Sequence, residues 1–235
     1  MKRIQWIALG CTILLSVSAL LAGHVVLFTR EVGETFPFRP PELILDAGHG
    51  GEDGGAVSIS GAPESHINLS IVLKMEDILG LYGVSPLLLR REDISLHSAE
   101  AETLRQKKVS DLKNRVAIIE NAAKADLISI HQNAYPDGRQ QGLQVFYAPT
   151  EGSEQMAETI QGTVQKTLQP SNSRPAKQIP QTVYLMNHIS CRAVLVECGF
   201  LTNPTEEALL RDVRYQKKLA AVLCGGWLAQ LQDIF

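Results

Sequence analysis

The stretch Leu43–Gly51 reads LILDAGHGG, an apolar run interrupted by one acid and followed by a histidine among glycines. A short apolar run bounded by glycine predicts a buried strand over Leu43–Ala47. Beyond it, His49 is the first side chain able to bind a metal or carry a proton. Other runs repeat the pattern: Val84–Leu89, Asp126–His131, Leu143–Ala148 and Ala193–Phe200 are strand candidates, most of them apolar on both faces. Such strands belong to a sheet covered on both sides. Between them, Ile67, Ile71, Met75, Ile78, Leu79 and Tyr82 recur at helical spacing, as do Leu112, Val116, Ile119 and Ala123, and later Leu219, Val222, Leu223 and Gly226. Strand and helix in alternation predict an α/β fold, a single three-layer domain with a mostly parallel central sheet flanked by helices. Near the end, Asn203 is suited to cap a helix, with Pro204 in its first turn and Glu206 three residues after the cap.

In an open α/β sheet the ligand site lies beyond the carboxyl ends of the strands. Three chemically capable side chains fall at such ends: His49, His131 and Glu197. A phosphate cradle is a poor fit, because GHGGEDGGA matches neither nucleotide-binding glycine pattern and carries Glu52 and Asp53, which repel an anion. Two histidines with nearby carboxylates suit a divalent metal, zinc above all, and the glycines allow close approach. Glu52, Asp53, Glu64 and His66 are all candidates for a third ligand, and spacing does not choose among them. Glu197 stands between Val196 and Cys198 in an apolar strand, where an acid is costly to bury unless it is paired, metal-bound or catalytic. The structural alternative is a salt bridge to an arginine such as Arg192 or Arg115. His24, His97 and His188 lie in the apolar N-terminus or in loops and are weaker candidates.

The chain of 235 residues carries 22 Lys and Arg against 25 Asp and Glu, a net charge of -3, which gives no basis for nucleic-acid binding. Residues 1–28 hold an uncharged run, Trp6–Phe28, behind Lys2 and Arg3. At about 1.5 Å per residue it can cross a hydrocarbon core of about 30 Å, as a membrane anchor or a long secretory signal. Residues 29–41, TREVGETFPFRPP, have three prolines and read as a spacer. The folded domain is expected over 42–235, exported by the positive-inside rule. Apart from Cys11, the cysteines are Cys191, Cys198 and Cys224, an odd number without C-x-x-C spacing, and read as small buried hydrophobes.

Several separated motifs together carry a resemblance. LILDAGHGGEDGGA, ESHINL, LLLRREDISL, LKNRVAIIENAAKADLISIHQNA and AVLVECGFLTNPTEE follow the order and spacing of the zinc-dependent N-acetylmuramoyl-L-alanine amidases of the amidase_3 family, over nearly all of residues 42–232. The resemblance implies that His49, Glu64 and His131 hold Zn2+ and that Glu197 is the catalytic acid/base, which demotes His66. It implies supporting roles for Asp46 and Asn133. Leu89 stands where the family often has threonine before the arginine, here Arg90, a departure expected to lie far from the zinc. Asn172–Met186 follows the family only loosely.

The plain architecture and YLMNHISCRAVLVECGFLTNPTEE resemble the spore-cortex amidases of endospore formers within that family. The resemblance implies cleavage of the amide between muramic acid and L-alanine in peptidoglycan, leading through a muramic acid deacetylase to muramic-δ-lactam. It also implies an accessory lipoprotein and a location outside the membrane, in the forespore intermembrane space. The rival readings are a general wall-turnover amidase, a stem-peptide peptidase and a silent wall-binding module. The silent module would be expected to have lost a ligand or the acid, and all four residues are present.

Overall fold

The computed structural model describes residues 43–122 and 125–232. The N-terminal apolar segment, the spacer and Glu42 lie outside the described residues. No helix among the described residues is long and apolar enough to cross a membrane.

Six strands form one sheet: β1 (Leu43–Ala47), β2 (Leu87–Leu88), β3 (Asp126–Asn133), β4 (Gln144–Tyr147), β5 (Lys177–Gln178) and β6 (Arg192–Phe200). Their order is β2-β1-β3-β6-β4-β5. Neighbours run parallel except β4 against β6, so the sheet is mostly parallel, as the doubly apolar runs predict. The helices are α1 (Glu64–Leu81), α2 (Leu104–Asn121), α3 (Ser153–Thr167), α4 (Tyr184–Asn187), α5 (Pro204–Arg211) and α6 (Val213–Gln232). The predicted strand over Val84–Leu89 shrinks to two paired residues, because it is the sheet edge and Leu87 is exposed. Helix α3 is not among the helices the sequence predicts; its buried stripe runs through Met156, Ala157, Ile160, Gln161 and Val164.

Strand alternation sorts side chains onto two faces. Leu45, Ile128 and Val194 pack with residues of α1, α3 and α6, among them Ile71, Ile160 and Leu223. On the opposite face Ile44, Leu127 and Leu195 pack with Ile119 of α2 and Leu185 of α4. Each fully buried aliphatic side chain contributes about 1.5–3 kcal/mol, which holds the central strands rigid under the site. By the same alternation, Asp46, Ser129, His131 and Glu197 share the face covered by α2 and α4.

The caps differ from each other. Thr103 and Gln106 form a reciprocal capping box at the start of α2. At α5 the Asn203 side chain accepts from the amides of Thr205 and Glu206, as the sequence predicts. Glu206 does not return the bond to Asn203; its carboxylate takes the amides of Gly142 and Phe200, tying α5 to the ends of β4 and β6. Cys191, Cys198 and Cys224 are free thiols, the last two buried.

Candidate metal centre

The site is built where β1 and β3 end and α1 begins. His49 is the only non-glycine residue with a positive φ, 62°, among the described residues. Its loop is held in that shape from behind by two buried guanidinium groups. Arg90 donates to the carbonyls of Ala47 (2.8 Å) and Gly48 (3.2 Å), and Arg115 to that of His49 (2.8 Å). The backbone carbonyls thus point into the protein. Arg90, next in sequence to the departure at Leu89, thus grips the residues on either side of the strand end.

His49, Glu64 and His131 each present a ligand atom, all within 4.8 Å of one another. The rings of His49 and His131 meet edge to face, with centroids 5.0 Å apart. His131 Nδ1 lies 3.0 Å from Glu64 Oε1, and His49 Nε2 lies 3.5 Å from Glu64 Oε2. Two glycines make this cluster sterically attainable. A Cβ on Gly48 would fall 2.2 Å from His131 Nε2, and one on Gly55 would fall 2.6 Å from Glu64 Oε2. Two imidazoles and one carboxylate converging on one point fit a divalent metal of the zinc type, with coordination positions left for water and substrate.

The surrounding groups set the charge of the cluster. Burial alone would raise the Glu64 carboxyl, but the His131 hydrogen bond, the two histidine charges and the Gln132 amide hold it down at about 2, so Glu64 is an anion. Its oxygens also accept from the Ala56 amide (2.9 Å) and the Gln132 amide (3.0 Å). Asp53 Oδ2 lies 3.0 Å from His49 Nδ1, which orients the ring and leaves Nε2 toward Glu64. The hydrogen bond from His49 is the main reason that Asp53 sits well below the usual carboxylate range.

The remaining candidates separate cleanly. His66 is exposed and pairs with Asp93 at 2.9 Å, and Glu52 pairs with Lys107 at 2.6 Å, so neither joins the cluster. Asp53 holds the His49 ring from behind. Asp46 is buried against Arg115 and Ser129, which overcome the burial penalty and keep it ionised. Asn133 ends β3, and its carbonyl accepts the Leu201 amide.

Glu197 lies directly opposite His131 in the parallel pairing of β3 and β6. Neither predicted arginine partner reaches it, since Arg192 pairs with Asp126 and Arg115 with Asp46 and Asp111. The residue is half-buried, but Oε2 itself is shut from solvent and has no hydrogen-bond partner. Burial, reinforced by the negative charge of Glu64 and opposed by both histidines, pushes its carboxyl up to about 7. A group balanced there can take up and release a proton near neutrality. Beside the cluster, a cleft of about 200 Å³ opens on His49 and His131, walled by Lys108 and Leu112 of α2 and by Thr182–Leu185.

A three-layer α/β domain with two histidines, an anionic carboxylate and a raised carboxyl at one sheet edge is an arrangement suited to metal-assisted hydrolysis. Residues 43–227 match the family model Amidase_3, described as N-acetylmuramoyl-L-alanine amidase, and the chain belongs to that family of enzymes. It is 32% identical over 237 residues to the germination-specific N-acetylmuramoyl-L-alanine amidase of Bacillus subtilis, covering 97% of this chain and 94% of the relative. Among solved structures it resembles the CwlD amidase of Clostridioides difficile, determined in complex with the GerS lipoprotein, with TM-score 0.79 and 36% identity over 83% of this chain and 100% of that one. An N-acetylmuramoyl-L-alanine amidase of Clostridium difficile 630 aligns with TM-score 0.72 and 28% identity, over 83% of this chain and 98% of the other.

Proposed function

We propose that this enzyme hydrolyses the amide between the lactyl group of N-acetylmuramic acid and L-alanine of the stem peptide, with zinc held by His49, Glu64 and His131 and with Glu197 as acid/base. The observation that carries the reading is Glu197: a carboxyl without a partner, on the same sheet face as His131 and in register with it. Zinc, when bound, would supply Lewis-acid polarisation of the carbonyl and a lowered pKa for water. Glu197 takes the proton of the water that attacks the carbonyl carbon, and passes it to the alanine nitrogen as the carbon–nitrogen bond breaks. One carboxyl serves both transfers because it takes up the proton as the water attacks and is then protonated when the nitrogen departs. Asp53 holds the His49 ring, and Ala56 and Gln132 hold the Glu64 carboxylate, so the ligands are ordered before substrate arrives.

We assign the enzyme to spore-cortex maturation, where the freed muramic acid passes to a deacetylase and becomes muramic-δ-lactam. Support comes from the germination-specific relative and from the CwlD neighbour. That neighbour's lipoprotein complex supports an accessory lipoprotein for this chain too. Residues 1–28 act as anchor or signal and 29–41 as spacer, which puts the catalytic domain, 42–235, outside the membrane and in the forespore intermembrane space. The test is to incubate the purified full chain with peptidoglycan, with zinc or with a chelator, and to identify released ends by mass spectrometry. Zinc-dependent release of intact stem peptides with a free L-alanine amino group is expected. Cleavage between amino acids would replace this reading with a peptidase.

A further inference from the structure

We propose that Asn68 is a positioning residue for the metal ligands, a single buried amide that ties together the three segments supplying His49, Glu64 and His131. The inference rests on the reading that these three hold zinc. Helix α1 puts Asn68 one turn after Glu64 on the same face, where it is fully buried. Its Nδ2 donates to the carbonyl of Gly48 at 3.1 Å and to Glu64 Oε1 at 3.2 Å. Its Oδ1 accepts from Gln132 Nε2 at 3.0 Å. Gly48 precedes His49 and Gln132 follows His131, so one side chain touches the end of β1, the start of α1 and the end of β3.

The two oxygens of Glu64 show what this contact does. Oε1 faces His131 Nδ1 and receives the Gln132 amide and Asn68, while Oε2 receives only the Ala56 amide and faces His49. Oxygens with two lone pairs each cannot be loaded this unevenly without setting the carboxylate's rotation. Asn68 therefore holds Oε1 back toward β3 and leaves Oε2 with capacity to spare on the side of His49. The task needs a neutral group that donates and accepts at once, which an amide provides. A leucine of similar volume would leave the Gln132 amide group without its acceptor and remove a donor from Glu64.

The test measures zinc affinity of the full chain by competition with a chelating indicator, in wild type, Asn68→Leu, Gln132→Met and the double variant, with folding checked by circular dichroism. Asn68→Leu is expected to weaken zinc binding about 10–100-fold. Gln132→Met, which cuts the same link from its other end, is expected to weaken it at least about threefold, and the double variant no further than Asn68→Leu. With zinc saturating, KM for muropeptides should stay within about twofold of wild type, because both side chains are buried away from the surface. Unchanged zinc affinity in Gln132→Met and in whatever folds of Asn68→Leu would overturn the inference while leaving the zinc reading intact. Failure of the wild type to bind zinc would remove that reading and this inference with it.

Discussion

Strands β3 and β6 carry a carboxyl group in register with a basic residue at their start and again near their carboxyl ends, and the two places are built in opposite ways. At the start, Asp126 lies opposite Arg192 and takes a two-pronged hydrogen bond from it at 2.7 and 2.6 Å. Trp227 of α6 donates to the same carboxylate at 2.8 Å, so the acid is fully used in joining sheet and helix. At the other end, Glu197 lies opposite His131 and Oε2 has no partner at all. The first acid spends its interactions on the fold. The second is withheld from them, and this leaves its proton free to move. A buried acid without an arginine is thus a stronger sign of chemistry than a buried acid as such.

The comparison breaks most visibly at Glu197. Glu197→Gln keeps the shape and removes the titrating proton, so kcat on muropeptide should fall at least about 10³-fold while zinc binding, read by chelator competition, persists. A result within about tenfold of wild type would mean that another group moves the proton. The next largest effect is on the stability of the zinc-free protein. Because the Glu197 carboxyl is raised from 4.5 to about 7, the native state holds a proton that the unfolded chain has lost. Its contribution is present below about 4.5 and disappears as pH rises through 7, so wild type should lose up to about 3 kcal/mol relative to Glu197→Gln between pH 4.5 and pH 8. Urea unfolding of both proteins across that range measures it, and parallel profiles would refute the raised carboxyl. At the opposite strand end, Arg192→Met should cost about 2–3 kcal/mol by leaving Asp126 underpaired, yet leave kcat of the folded enzyme within about twofold. A large kcat loss there would erase the distinction between the two ends.

Much of this was legible in residues read one strand at a time. The runs ending in His49 and His131 are apolar on both faces, and so is the one that carries Glu197, so their strands and the shared edge follow from pattern. That His131 and Glu197 share one face needs the register of β3 against β6, which the pattern within each strand does not supply. Glu64 is different, because Glu52, Asp53, Glu64 and His66 all follow His49 before or at the start of the first helix, and the family resemblance rather than spacing singles it out. Helix α3 passed unread because its buried stripe includes Gln161, which donates to the Leu143 carbonyl and accepts the Val145 amide, a polar job that the apolar pattern does not register.

The amino-acid sequence by itself determined the α/β class, the strand ends that carry chemistry and, through motif order, the amidase family, since these depend on local periodicity and on residue types at fixed spacing. Only the tertiary structure decided which acid is free and which is bound, that Arg90 and Arg115 shape the His49 loop, that Asp53 stands behind the His49 ring, and that Asn68 touches the segments carrying His49, Glu64 and His131. The reason is physical: a carboxyl's charge state and a side chain's hydrogen-bond partners depend on groups tens of residues away in the chain, and only packing brings them within 3 Å or so of each other.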